Sequence, residues 1–241
     1  GQGIYTTGLG HGDAMHVTDI DPERPGLEIF AIHERPSHPY GANLRDAATG
    51  QVIWGLASPD VSRGLAADID PRYLGLECWA MGQGLGGLFD CRGKRIAPRG
   101  PRSCNMAVWW DGDLVRELLD RTTIQKWNPE RETSDILFDA IRFGCTFNNG
   151  TKGNPCLCAD ILGDWREEVI WRSADNRELH IFTTPEPTAH RLITLMHDPV
   201  YRAGIARQNV GYNQPAHPGF YLGEGMIPPK RPNVAVTGTT P

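Results

Sequence analysis

No stretch of the chain holds the roughly 18 consecutive apolar residues that a membrane-crossing helix needs, so no such helix is expected. No Lys/Arg cluster supplies the basic stripe that phosphate backbones require, and a net charge of −5 with a pI near 5.9 points away from nucleic acid. A full EF-hand loop is missing. Cys156 and Cys158 are too close together for a zinc knuckle, and no second pair completes one. Helical periodicity is scarce, and the longest helix candidate, 113–119, is short. What the chain has in excess is glycine and proline, 28 and 19 of its 241 residues, against a usual share of about an eighth. Many turns and few helices imply an all-β fold.

The turns repeat. Asp19-Ile20-Asp21-Pro22 followed by Gly26-Leu27-Glu28 returns 49 residues later as Asp68-Ile69-Asp70-Pro71 followed by Gly75-Leu76-Glu77. A unit of that length fits one four-stranded propeller blade. Each copy continues into an apolar strand (27–32 and 76–80) and a polar hairpin, the first of which turns on Thr49-Gly50. A weaker third unit runs from Val108 to Trp127, and a fourth starts at Asp160-Ile161-Leu162-Gly163-Asp164. The expected organisation is four blades at about 8–60, 61–100, 101–155 and 156–226, with a Pro/Thr-rich tail at 227–241. Trp109, Trp110, Trp127 and Trp171 read as packing within blades, and His16 and His33 as support beside a polar cluster.

Six cysteines, at 78, 91, 104, 145, 156 and 158, allow three disulfides. Cys78 and Cys91 flank a Gly-rich turn and form the first choice of pair. Cysteine usage of this kind favours an oxidising compartment, hence a secreted, extracellular or periplasmic location. The chain opens at Gly1-Gln2-Gly3 with no leader pattern, which reads as a mature, truncated or internal start.

Several ordered segments carry a resemblance: Gly8-Leu9-Gly10-His11-Gly12-Asp13-Ala14-Met15-His16, Gly64 to Tyr73, and Ala107-Val108-Trp109-Trp110-Asp111-Gly112-Asp113-Leu114. Asn148-Asn149-Gly150-Thr151-Lys152, Ala159 to Glu168, and Gly211-Tyr212-Asn213-Gln214-Pro215 extend it to about residue 226. Together they resemble family 11 of the polysaccharide lyases, the secreted rhamnogalacturonan lyases. The resemblance implies an eight-bladed β-propeller with several calcium ions, and eliminative cleavage of the rhamnose–galacturonate bond in pectic rhamnogalacturonan I. Members of that family are more than twice as long, and their C-terminal half is what matches. About four blades of eight are therefore expected here, with open sheet edges. The remainder would come from a missing N-terminal half, from another chain, or from a second copy closing the ring.

Elimination at a uronate requires the substrate carboxylate to be neutralised, the C5 proton to be removed and the C4 leaving oxygen to be stabilised. The resemblance assigns Lys152 to base or carboxylate contact and Arg63 to the active cleft, where its fork could grip a carboxylate. Asn149, Gly150 and Thr151 would contact sugar, although the same three residues are also a turn and a glycosylation sequon. Asn209 and Tyr212 match sugar contacts, the tyrosine by stacking on a pyranose. His11, Asp13 and Glu34 match a polar cluster that reads as a divalent site. Because imidazole is unusual on calcium, manganese or zinc stays open there. Structural calcium would sit on three acidic turns: Asp19, Asp21 and Glu28; Asp68, Asp70 and Glu77; Asp160, Asp164 and Glu168. The reading from a different class is a calcium-stiffened propeller module that binds pectic polysaccharide or a partner chain without turnover.

Overall fold

The computed structural model describes residues 7–34, 39–210 and 214–233. Tyr212 and the tail from 234 onward lie outside them. The described residues form four antiparallel sheets of four strands, one after another along the chain. The first holds β1 (Met15–Thr18), β2 (Glu28–Ile32), β3 (Ala42–Asp46) and β4 (Val52–Leu56); the second holds β5 (Val61–Ala67), β6 (Glu77–Gly82), β7 (Leu88–Phe89) and β8 (Arg95–Ala97). The third holds β9 (Met106–Val108), β10 (Glu117–Asp120), β11 (Thr123–Asn128) and β12 (Thr133–Asp139). The fourth holds β13 (Cys145–Thr146), β14 (Leu157–Ala159), β15 (Glu168–Ser173) and β16 (Leu179–Phe182). In the first three sheets the strands lie in chain order, whereas in the fourth β15 pairs with β13, β14 and β16. Each sheet is open.

Local chemistry accounts for the hairpins. Gly50 adopts a left-handed φ of 73°, and the Asp46 carboxylate accepts the Thr49 N–H at 2.7 Å, which closes the β3–β4 turn. On β2, Phe30 lies opposite His16 on one side and Leu44 on the other. Its face packs onto Val61, Ala66 and Cys78 of the second sheet. Leu65 and Trp79 then pack with Ala107, Leu118 and Trp127 of the third. Val108, Leu119 and Ile124 pack in turn with Cys145, Val169 and Trp171 of the fourth. Sheet follows sheet through apolar faces, and all four tryptophans assigned to packing are buried.

Two expectations fail. Residues 113–119 are not helical: Glu117 opens β10, and its Oε2 accepts the Trp110 and Asp111 N–H groups at 2.9 and 3.3 Å, which bends the preceding residues into a turn. The longest helix is α1 (Pro199–Arg207), whose N-cap Asp198 accepts the Tyr201 N–H at 2.8 Å. The Cys78–Cys91 disulfide is not formed, and all six cysteines are free thiols. Both sit in the core between the first two sheets. Burial pushes both thiols up, which suppresses the thiolate that disulfide exchange needs.

A hub segment joins the sheets. Gln208, at the end of α1, brackets Cys158 of β14, accepting its N–H at 2.7 Å and donating to its carbonyl at 2.8 Å. Gln214 accepts the Met15 N–H at 2.6 Å, and Pro218 O accepts the Thr18 hydroxyl at 2.7 Å. Tyr221 O–H and Glu224 N–H both donate to Asp68 Oδ2, at 2.9 and 2.6 Å. At the centre lies Arg116, 1% exposed. It donates to Glu167 Oε2 at 3.1 Å, to Ala107 O at 2.6 Å and to Ala216 O at 3.2 Å. Its guanidinium lies 3.9 Å from the Trp109 ring centroid.

His217, from the hub, meets His16 of β1 at 3.0 Å. Burial depresses His16 to about 3 and His217 well below the usual histidine value, with Arg116 and Arg207 facing both and Arg63 facing His16. The folded chain therefore holds both rings neutral, while the unfolded chain protonates them below about pH 6.5. Their contribution to stability is complete above that pH. It falls as pH drops toward 3, by up to about 1.4 kcal/mol per pH unit for each ring. Subtracting the urea stability of His217→Gln from that of the native chain across this range isolates the effect from buried carboxylates. A difference that stays flat with pH would contradict it.

Candidate active site

The ladder between β1 and β2 continues past the strand ends, and this continuation builds the site. Ile32 N–H donates to Ala14 O at 3.2 Å and Glu34 N–H to His11 O at 2.8 Å, so His11 and Glu34 become cross-strand neighbours with Asp13 beside them. Gly12 is required there, because a Cβ at this position would collide with the Ile32 carbonyl oxygen. His11 Nδ1 lies 3.3 Å from Glu34 Oε2 and 3.5 Å from Asp13 Oδ1. Ligand atoms of the three residues fall within 4.8 Å of one another, as a divalent site requires.

Lys152, from the loop between β13 and β14, pairs directly with Asp13 Oδ2. An ammonium from the loop of the fourth sheet thus meets a carboxylate beside the first; Asp13 is buried and Lys152 partly exposed. Asn149 adopts the left-handed conformation, φ 56°, that asparagine tolerates. Its Nδ2 donates to Asn154 Oδ1 at 2.7 Å. Asn154 in turn contacts Asn209, which donates to Cys156 O at 2.7 Å. Asn209 is thus tied to the loop that carries Lys152. Gly150 and Thr151 are exposed, and a Cβ at Gly150 would meet nothing, so the tip presents open backbone.

Arg63 differs from its expected form. It opens toward the site from β5 but is only 6% exposed, with Nη1 donating to Asp13 O at 3.1 Å and Nη2 to Asn105 O at 3.3 Å. It braces the backbone of the His11–Asp13 loop, and gripping a carboxylate with both nitrogens would require exchanging those bonds. Asn105 and Asn154 are supports that no motif announced, and Gln214, though inside a quoted motif, has no role assigned to it by sequence.

Each acidic turn proves to be closed by its glutamate. Glu28 Oε2 accepts the Ile20 and Asp21 N–H groups at 3.0 and 3.1 Å, and Glu77 Oε2 those of Ile69 and Asp70 at 2.9 and 3.0 Å. Glu168 Oε2 accepts those of Ile161 and Leu162, both at 2.9 Å. The first two turns leave buried carboxylate oxygens with no hydrogen-bond partner among the described residues: Asp19 Oδ1, Glu28 Oε1, Asp68 Oδ1 and Glu77 Oε1. Burial raises Asp68 to about 7 and Glu77 well above its usual range. Oxygens of this kind fit a hard cation, with the contribution of the second turn resting on Asp68 and Glu77, since Asp70 is already paired with Arg72 at 2.6 and 2.8 Å. The fourth turn fits one poorly. Asp160 already accepts Gly163 N–H and Leu195 N–H, Asp164 accepts Arg166, and Glu168 Oε1 accepts the Thr183 hydroxyl at 3.1 Å. Among the described residues, the ligand atoms of none of the three predicted acidic-turn sets gather within 4.8 Å of one another; besides His11, Asp13 and Glu34, the cluster that does is Asp111, Asp113 and Glu117, in a turn where no metal is expected from the sequence.

The chain is 54% identical to rhamnogalacturonan endolyase YesW of Bacillus subtilis over 97% of its own length and 37% of that protein's. It is 52% identical to rhamnogalacturonan exolyase YesX of the same organism, over 99% and 41%. The solved structure of Bacillus licheniformis rhamnogalacturonan lyase PL11 superposes with a TM-score of 0.92 at 56% identity, covering 98% of this chain and 40% of that one. The chain thus spans about two-fifths of the length of the relatives it matches. Residues 1–232 match the C-terminal domain model of rhamnogalacturonan lyase family 11, and the chain belongs to that family.

Proposed function

We propose that the chain forms part of a lyase that cleaves the rhamnose–galacturonate bond of rhamnogalacturonan I by β-elimination. The observation that carries this reading is the convergence of Lys152, Asp13, His11 and Glu34, from the first and fourth sheets, beside an exposed Asn149-Gly150-Thr151 tip. In this reading Lys152 and a cation held by His11, Asp13 and Glu34 supply positive charge beside the substrate carboxylate. The C5 proton goes to a base, the C4–O bond breaks, and a C4–C5 double bond remains. A bound cation would neutralise the carboxylate; this chain's residues hold and orient it. Arg63 acts as a positioning group for the Asp13 loop.

Four sheets of four strands, packed in succession, support a place in a larger propeller, and the relatives' greater length supports additional blades. Calcium at the first two acidic turns is supported by their orphaned carboxylate oxygens, and the family reading carries secretion with it. Incubation of the protein with rhamnogalacturonan I and calcium should release unsaturated uronate products, followed by their ultraviolet absorbance. A folded sample of this chain that binds the polysaccharide without releasing such products would favour the second reading, a binding module. The occupied fork of Arg63 is the feature that favours that alternative.

A further inference from the structure

The third acidic turn has the same construction as the first two, yet something already fills its centre. Glu117 Oε2 closes the turn on Trp110 and Asp111 N–H, as Glu28 and Glu77 do in theirs. In the first two turns the glutamate's other oxygen, Glu28 Oε1 or Glu77 Oε1, is buried without a hydrogen bond among the described residues, Glu28 Oε1 having only a longer ion pair with Arg24 Nε at 3.8 Å. In the third, Glu117 Oε1 accepts Lys126 Nζ at 2.9 Å. The same ammonium reaches Asp113 Oδ2 at 2.6 Å and also contacts Asp111 Oδ2. Lys126 comes from the middle of β11, the strand beside β10, so the sheet delivers it to the spot where three carboxylates converge. An ammonium has three N–H donors and three carboxylate oxygens receive them.

We propose that Lys126 is a built-in cation that takes the place of a divalent ion in the third turn, leaving a latent metal site formed by Asp111, Asp113 and Glu117. This inference rests on the reading that the first two turns bind calcium. It makes the third sheet one whose acidic turn is held by a lysine rather than by a dissociable ion, so depletion of calcium leaves that turn closed.

The test counts bound calcium per chain by equilibrium dialysis on the intact protein. Lys126→Met should bind one calcium ion more than the native protein, and adding Asp111→Asn to it should remove the extra ion. Asp111→Asn alone, with Lys126 in place, should leave the native count unchanged. Equal counts for Lys126→Met and native protein would overturn the proposal. So would loss of one ion in Asp111→Asn alone, which also decides the matter if Lys126→Met does not fold. A native protein that binds no calcium would sink the reading of the first two turns. The gain in Lys126→Met is scored separately from that result.

Discussion

Lys152→Ala should lower the rate of unsaturated product formation by about 10²–10⁴-fold, the range expected when one proton-transfer or charge-stabilising group is removed. The thermal midpoint should shift little, because Lys152 stands at a loop tip and its main partner, Asp13, keeps His11 nearby. The way the loss divides is informative. A contact to the substrate carboxylate predicts that Lys152→Arg restores much of the activity, since the charge is retained. A base predicts that Lys152→Arg stays inactive, since a guanidinium does not give up its proton. Full activity in Lys152→Ala would remove this residue from the reaction and leave His11, Asp13 and Glu34 as the chemical centre.

The largest effect on stability should come from Arg116→Met, which should cost about 3–5 kcal/mol, because it strands Glu167 as an uncompensated buried charge. Glu167 is fully enclosed, with Oε2 also accepting Trp109 N–H at 3.1 Å and Oε1 accepting the Tyr201 hydroxyl at 2.7 Å. The bonds to the Ala216 carbonyl of the hub and the Ala107 carbonyl of β9, and the stacking on Trp109, would disappear with it. The double variant Arg116→Met, Glu167→Gln should recover a substantial part of the loss, since it removes the charge along with its partner and keeps groups that can hydrogen-bond. Urea titrations of the four proteins provide the cycle. A cost below about 1 kcal/mol for Arg116→Met would place the pair among weak surface-type interactions instead.

Much of the architecture is visible in the chain itself, for a physical reason. A turn that must place a glutamate under two backbone N–H groups needs fixed spacing. Asp21 to Glu28 and Asp70 to Glu77 keep it, so the repeat stands out and marks two sheets. The third and fourth turns are one residue shorter. Their glutamates serve the residues six and seven places back rather than seven and eight. That deletion hides Glu117 from a gapless comparison, and residues 113–119 look like a short helix by sequence alone. The site loops were legible as motifs, but their partners were not. Nothing local in Arg63 announces that its fork is turned onto Asp13 and Asn105, and Lys126 meets its carboxylates only because β11 lies beside β10. Nothing local to Arg116, flanked by Val115 and Glu117 in the stretch that reads as a short helix, announces a buried cation. Its burial is created by residues a hundred positions away.

The hub also bears on the order in which the molecule can assemble. Its bonds join Met15 to Gln214 and Thr18 to Pro218, separations of 199 and 200 residues. During synthesis each sheet can pair its own strands as they emerge, since those contacts are local. Met15 and Thr18 then wait, hydrated, for about 200 further residues to be made. Contacts of such long sequence separation are entropically late and slow the final step. Until it occurs, His16, Arg116 and Asp68 face water rather than protein. A nascent chain halted before residue 208 would thus hold formed hairpins without the bonds of the hub, and its capture by chaperones or proteases would be decided in that interval.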